Sequence, residues 1–484
     1  MKKILYSFIL LSFIAFSCDE FVEPDPKDRI TPQIALADLD GAEAFLFSAY
    51  NRLHAFNYYG QQFHLTGEAL SSNIVIGNNT GRYTGAVVNA VGSHFNLWAD
   101  PGGGNFHSLY QIINDVNIVI ENAEANREED SDRADVMIAE GRFIRALAHH
   151  DLLRAYSYEP GQEVGGFNLG VILRTEAVDA ASKADFRPRA TNTEVYAAIE
   201  SDLLAAIADL PSDGNQAAFP DRASASAARA LLARVYLYMG RYADAATQAD
   251  AALNASSVDI VAAADYIASF AATVHPEAIF QINIQAVDWS TVDGVNNSMT
   301  TVTKTTSGGA PGSSQGAVRA SDELLAAFET GDIRRDLFRN PESADFWESD
   351  KWPGELGDFR EHIPVIRVSE VLLIAAEAKA RSGNDAGALT DVNRLRTNRG
   401  LSASTASGSA LIDLIMQERR VELCYEGSHY WFDLKRLGLI IPKPASSGVD
   451  PLATDDFRRL SRIPPAEIEQ HADAGVDLVQ NDGY

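Results

Sequence analysis

The chain has 484 residues, 46% apolar and 22% charged, the composition of a folded globular protein and not of a disordered one. Asp and Glu outnumber Lys and Arg 67 to 40, a formal charge of −27; a field of that sign repels phosphate backbones and argues against any nucleic-acid partner. Two cysteines exclude a framework of disulfides, and no close spacing of Cys, His and carboxylates supplies a zinc site, so no cofactor is expected.

Lys2 and Lys3 precede an apolar-rich run from Ile4 to Phe16, followed by Ser17 and Cys18. As a helix that run spans about 20 Å, well short of the ~30 Å hydrocarbon core of a bilayer. Residues 1–17 therefore read as a signal peptide and not as a membrane span. A small residue directly before a lone cysteine resembles a bacterial lipobox, in which Cys18 becomes the lipidated first residue; ordinary secretion with cleavage near Ala15–Ser17 is the alternative. Several acyl chains give stable anchoring without a transmembrane helix. Residues 18–36, with Asp19, Glu20, Glu23, Pro24, Asp25 and Pro26, read as an extended acidic tether.

Ala42–Leu53 is a first helical stretch, apolar at Ala42, Phe45, Ala49 and Leu53. From Asn57 to Gly104 no helical period lasts, and the segment reads as a long irregular excursion ending in the turn at Pro101–Asn105. Tyr110–Ala123 and Val136–Tyr156 return to helix, Gly165–Leu173 runs extended, and Thr191–Leu210 is a helix with Thr193 as its cap and Pro211 as its stop. Ala223–Leu253 is the most legible stretch. Leu232, Val235, Tyr236 and Met239 recur at helical spacing, Gly240 provides a turn, and Ala245, Ala246, Ala249 and Ala252 line a second helix. Small residues at the crossing and a glycine turn are the pattern of a tetratricopeptide (TPR) unit, which cannot bury its face alone and implies further units.

Between 255 and 361 the helices largely stop. Ala278–Trp289 alternates like a strand, Asn296–Gly316 is a Ser/Thr/Gly-rich loop, Ser321–Phe328 is a short helix, and Phe346–Gly354 carries aromatics. Ile363–Arg396 restores the TPR pattern around Gly383, Leu411–Tyr425 is a long helix, and the tail reads as irregular. The expected fold is mostly α. Three or four helix pairs are expected, with the non-helical insertions and a few short strands gathered into a second region. An N-terminal region, 37–220, and a C-terminal one, 221–484 with 255–361 as an insertion, form one integrated fold.

No catalytic signature is present: there is no HExxH, no GxSxG and no Walker loop. Gly308–Gly316 is glycine-rich but lacks the Lys-Ser/Thr of a phosphate cradle. His149 and His150 are adjacent on a helix, point about 100° apart and read as packing or surface residues. Glu418, Glu422 and Glu426 at i, i+4, i+8 place like charges on one stripe; with Arg419, Asp433 and Arg436 they read as a paired structural network. Tyr58, Tyr59, Tyr83, Trp98, Trp289, Trp347 and Trp352 all lie in the irregular segments. Flat rings on loops near amides (Asn78, Asn79, Asn296, Asn297) suit stacking on a sugar or peptide, and some of them are equally explained as cover for the core.

Several stretches together resemble the SusD/RagB family of nutrient-binding outer-membrane lipoproteins of Bacteroidetes. They are the lipobox-like Cys18, AEGRFIRALAHHDLLRAYS at Ala139–Ser157, TEVYAAIESDLLAAIADLP at Thr193–Pro211, RASASAARALLARVYLYMGRYADAA, SDELLAAFETGDIRRDLF, IPVIRVSEVLLIAAEAKARSGN, QERRVELCYEGSHYWFDLKRLG and RIPPAEIEQ leading to LVQNDGY. The resemblance runs in order along nearly the whole chain. It implies a mostly α fold in which about four TPR-like hairpins form a scaffold and a large loop-rich region carries the ligand site. It also implies a non-catalytic surface protein, held to the outer membrane through its lipid alone and facing the exterior. Such a protein captures oligosaccharides, or in some members peptides, and passes them to a TonB-dependent SusC-like transporter. A TPR scaffold that binds only protein and a surface glycan hydrolase are the rival readings.

Overall fold

The computed structural model describes residues 36–77, 83–87, 104–178, 185–212, 220–284, 299–305, 318–341, 344–354 and 362–484. Helix α1 (Leu39–Arg52) starts at Asp38, whose carboxylate accepts from Gly41 N at 2.9 Å, and buries Leu39, Ala42, Leu46 and Ala49. After α2 (Gln62–Leu70) come α3 (Gly104–Ala125), α4 (Ser131–Tyr156), α5 (Asn192–Asp209), α6 (Ala225–Tyr238) and α7 (Tyr242–Ala255). The C-terminal part adds α8 (Val368–Arg381), α9 (Asp385–Thr397), α10 (Ser409–Leu423), α11 (His429–Arg436) and α12 (Pro465–Asp473). From α3 to α7 each helix packs on the next; α7 then packs on α8, and α8 on α9 and α10. The stack thus closes directly from α7 to α8, and the loop-rich stretch between them leaves it uninterrupted.

Small residues set the spacing of this stack. In α6, Ala227, Ala228, Ala230 and Ala233, and in α7, Ala245, Ala249 and Ala252, are all buried. Between α3 and α4, a Cβ on Gly141 would stand 2.9 Å from Ile120 Cγ1, so only glycine permits that approach. Gly240 (φ +69°) and Gly383 (φ +82°) take the left-handed conformation at the two hairpin turns, as their positions after the apolar repeats require. One continuous apolar cluster extends from Leu39 to Leu478, with a smaller one between α8, α9 and α10 around Leu373, Val392 and Ile415.

Among the described residues there are also four short α-helices, at Thr84–Val87, Tyr266–Ser269, Met299–Thr303 and Asp322–Leu325, and six short strands: β1 (Ile74–Ile76), β2 (Ala278–Ile282), β3 (Val318–Ala320), β4 (Phe338–Arg339), β5 (Glu348–Ser349) and β6 (Ile363–Arg367). They pair antiparallel as β1–β3 (Ile74 opposite Ala320), β2–β6 (Ile282 opposite Ile363) and β4–β5 (Phe338 opposite Ser349). A bridge from Ala320 to Trp347 joins two of these pairs into a small ladder ordered β1–β3–β5–β4.

Three local expectations are corrected. The supposed irregular excursion contains α2, buried along its whole length, so it has no solvent face to generate a helical period. Helix α5 is capped by Thr191 and not by Thr193: Thr191 Oγ1 accepts from Glu194 N while the Glu194 carboxylate accepts from Thr191 N, a capping box. The irregular tail contains α12, which begins on Pro465.

Candidate ligand-binding face

The loop aromatics divide. Tyr58 and Tyr59 stack at 4.3 Å, both meet Phe63, and both hydroxyls donate to Asp151 Oδ2, at 2.6 and 2.8 Å. Asp151 also pairs with Arg154, whose guanidinium lies over the Phe63 and Phe432 rings. Burial and the adjoining Asp151 push both phenols well above the usual tyrosine range. Tyr83 is 1% exposed and donates to Gln61 Oε1 at 3.0 Å. Trp352 is also buried, its Nε1 donating to Tyr425 O at 3.2 Å. These four rings are core, correcting their reading as ligand-facing: a π-helical turn at Phe56–Gly60 carries Tyr58 and Tyr59 inward. Cys18, Trp98 and Trp289, with Asn78, Asn79, Asn296 and Asn297, lie outside the described residues.

Trp347 is different. It is half-buried, and the Arg335 guanidinium sits 3.9 Å from its ring. Its neighbour Phe346, also half-buried, carries Arg319 at 3.6 Å. The two cation–aromatic pairs sit on the β1–β3–β5–β4 ladder, where Ala320 N donates to Trp347 O at 2.9 Å. Gly77, just after β1, has Arg319 Nε only 1.8 Å from where a Cβ would stand, so its bare backbone makes room for that side chain. Arg319, Arg335 and Phe346 were not singled out from the sequence. The FW dipeptide was a signal, but which arginine meets which ring is set by strand pairing.

Below these rings the strap 344–354 is firmly held. Glu348 is fully buried and accepts from Thr305 N at 2.6 Å and from Arg339 at 3.1 Å. Lys351 Nζ donates to Glu422 O and Cys424 O, at 2.5 and 2.8 Å, so it satisfies carbonyls at the end of α10, and it pairs with Glu426 at 2.7 Å. Thr300 Oγ1 donates to Trp352 O. The segments 74–77, 299–305, 318–320 and 346–354 therefore meet on one side of the scaffold, a rigid base for side chains that stack on a ligand.

Behind the strap lies the acidic stripe. Glu418 pairs with Arg334 at 2.7 Å and with Arg396. Glu422 meets Arg399 at 3.0 Å, Arg367 at 3.3 Å and Arg334 at 3.4 Å. Glu426 meets Arg367 at 2.8 Å. Burial raises a carboxyl pKa, yet Arg399 and Arg367 outweigh it at Glu422 and hold it well below the usual range; at Glu426, Arg367 and Lys351 do the same, down to about 2. A second ring joins Asp433 to Arg419 and Arg436, each at 2.8 Å, and Arg436 to Glu377 at 2.6 Å. Enclosed and paired, these groups fasten α10 to β6, α8, α9 and α11. His149 and His150 are likewise core, their imidazoles kept neutral by burial. Among the described residues no group of His, Cys, Asp and Glu suits a metal, and no helix is long and apolar enough to cross a membrane. A cavity of about 10 Å³ between Tyr59, His64, Arg234 and Glu426 is at the lower limit for one water and too small for a ligand.

Two family models match the chain: one described as the SusD family, over residues 348–482, and one described as starch-binding, associating with outer membrane, over residues 41–237. The chain belongs to the SusD/RagB family. A SusD-like protein P2 from Formosa agariphila is 25% identical over 536 residues, covering all of both chains. Among solved structures, a putative sugar binding protein from Bacteroides vulgatus superposes with a TM-score of 0.79 at 22% identity, covering 92% of this chain and 99% of that one. A SusD superfamily protein from Bacteroides thetaiotaomicron gives 0.77 at 23%, with coverages of 92% and 99%. A laminarin binding SusD-like protein gives 0.72 at 22%, with coverages of 92% and 100%. The two models match every helix of the stack except α7, and Glu418, Glu422 and Glu426 of the stripe; the second of them in the chain begins at Glu348, one residue after Trp347. The protein is thus a mostly helical, TPR-like member of a glycan-binding, outer-membrane-associated family.

Proposed function

We propose that the protein captures oligosaccharides on the ladder that carries Phe346 and Trp347, and hands them to a TonB-dependent SusC-like transporter in the outer membrane. The observation that carries this reading is the placement of two half-buried rings, each backed by an arginine, on a base held by Lys351, Glu348 and Ala320. A ring with a fixed face offers apolar stacking to a sugar, and the guanidinium behind it offers donors at the rim. Trp98 and Trp289 remain further stacking candidates. Peptide capture uses the same stacking and remains the alternative ligand class. Residues 1–17 are the signal peptide, Cys18 carries the lipid, residues 18–36 are the tether, and the ligand side faces the exterior. The protein binds without catalysis.

Two measurements test this. A glycan panel titrated into the purified protein yields at least one neutral ligand whose affinity falls in Trp347→Ala; full affinity in that variant removes Trp347 from the site. A mild-detergent pull-down from native outer membranes brings a large TonB-dependent barrel in near-equal amount; its absence with lipidated, folded protein sinks the transporter partnership.

A further inference from the structure

A second concavity lies away from the ladder. Helices α1, α3 and α12 and the extended segment 171–178 enclose a cleft of about 410 Å³, within the roughly 300–1,000 Å³ usual for small-molecule pockets. Most of its polar lining is already matched. Asp115 accepts from Arg52 at 2.5 Å, and Glu176 accepts from Arg187 at 2.7 Å. Asn114 is closed in both directions on the backbone of Val178, at 3.2 and 2.8 Å, and the Tyr110 hydroxyl donates to Ile172 O at 2.9 Å.

Gln111 is bonded to His107 and Asn117 donates to Glu176 O, each at 3.0 Å, and setting these aside as well leaves three. The Arg174 side chain is 18% exposed, and its one ion pair among the described residues is a long one, 3.8 Å to Asp185. Its neighbours Arg52, Arg145 and Arg187 all hold a carboxylate at 2.5 to 2.7 Å. Burial lowers the Arg174 pKa, as expected of a desolvated cation that lacks a close counter-charge. Glu467 faces Arg174 from α12 and influences it electrostatically without closing to an ion pair. His471, one turn further along α12, is 3% exposed. Its Nδ1 lies 2.7 Å from Glu467 O and so carries the proton, which leaves Nε2 a buried acceptor with no partner among the described residues; the ring edge rests on Phe186.

Among the described residues the cleft therefore presents one donor fork without a close carboxylate beside two acceptors without a donor. We infer that it is a second ligand pocket, taking an acidic sugar whose carboxylate lies on Arg174 and whose hydroxyls donate to Glu467 and His471 Nε2. A guanidinium binds a carboxylate through two parallel hydrogen bonds, and a hydroxyl is the neutral donor that both a carboxylate and an imidazole nitrogen accept. The choice of a sugar over another small acid rests on the glycan-capture reading; the pocket itself does not depend on Trp347.

The probe is digalacturonate, titrated calorimetrically into the purified protein beside the neutral disaccharide of the same linkage and diglycine. Digalacturonate binds, and the neutral disaccharide binds at least about tenfold more weakly, as the loss of a charge-assisted pair implies. Arg174→Gln loses about tenfold or more for digalacturonate while keeping the neutral-glycan affinity measured for the ladder, and Glu467→Gln weakens digalacturonate several-fold. Absence of digalacturonate binding, equal binding of the neutral disaccharide, or unchanged affinity in Arg174→Gln overturns the proposal. Tighter binding of diglycine overturns its ligand class. Should Arg174→Gln fail to fold, Glu467→Gln decides alone: an unchanged affinity overturns the assignment. Loss of neutral-glycan binding in Trp347→Ala is scored separately, so failure of this pocket and failure of the ladder are distinguishable.

Discussion

The acidic stripe of α10 and the β1–β3–β5–β4 ladder both place arginines against other side chains, to opposite ends. On the stripe, Arg334, Arg367 and Arg399 are fully buried and each meets two or more carboxylates. On the ladder, Arg319 and Arg335 lie over half-buried rings. The first arrangement fixes the relative positions of four chain segments and offers nothing to solvent. The second leaves aromatic surface at the rim of a rigid base. On the stripe the charged network is scaffold, whereas stacking on a ligand is proposed for the rings of the ladder.

The largest effect expected is on the stripe. Glu422→Ala strands Arg399 and Arg367 in the interior, and removing one partner of a buried ion pair costs about 3–5 kcal/mol. Urea unfolding of this variant measures the loss; a change below about 1 kcal/mol contradicts the structural role given to Glu422. Next is the α6–α7 crossing, where Ala249→Leu forces a larger side chain into a fully buried position, at a cost of about 1–3 kcal/mol. Thr191→Ala removes the capping box of α5, at about 0.5–2 kcal/mol, whereas Thr193→Ala leaves the cap in place. The smallest effect on stability is at Gly77. Gly77→Ala displaces only the flexible end of Arg319, so unfolding shifts by no more than about 0.5 kcal/mol, while ligand affinity falls if Arg319 must sit on Phe346.

Acid separates the two regions further. His149 is depressed to about 3, and His64 and His275 to about 4, all from 6.5 and all by burial first. Each is neutral when folded and binds a proton when released, so its contribution is complete above pH 6.5 and is lost as pH falls toward the folded value. Glu377 and Glu426, where the arginine and lysine partners overcome burial, are depressed from 4.5 to about 2, and their contribution is lost as pH falls from 4.5 toward 2. Glu68 has the opposite sign, raised by burial to about 7, so it contributes below 4.5 and loses that contribution as pH rises through 7. The urea midpoint is expected to fall from pH 6.5 downward, and to fall further below 4.5. A midpoint that rises on acidification contradicts this account of the buried groups.

What the sequence could convey follows from which elements have a wet side. Helices α1, α3, α7 and α9 carry apolar residues on one face and were legible, as were the turns at Gly240 and Gly383. Helices α4 and α6, buried on nearly every side, were legible because apolar residues recur in them over a longer run than the nine residues of α2. Helix α2 was not, because His64, Thr66 and Glu68 are as buried as Phe63 and Leu65 and the period vanishes. The stripe Glu418–Glu422–Glu426 was legible as a network because three like charges on one helix face need cationic partners; the identities of Arg334, Arg367 and Arg399 came only from packing. At the candidate site, composition drew attention to Tyr58, Tyr59, Tyr83 and Trp352, which find internal hydrogen-bond partners that no local pattern reveals. Trp347 stays a candidate because it is half-buried and its ring is faced by the Arg335 guanidinium at 3.9 Å.

The most direct test of the central claim compares calorimetric titrations of a neutral glycan panel into the wild-type protein and into Trp347→Ala. If the ladder is the capture surface, the preferred glycan loses about 2 kcal/mol, roughly thirtyfold in affinity, in Trp347→Ala, the loss of a buried aromatic anchor, while the unfolding midpoint stays close to wild type. Equal affinity in the two proteins contradicts the assignment and moves recognition off the ladder.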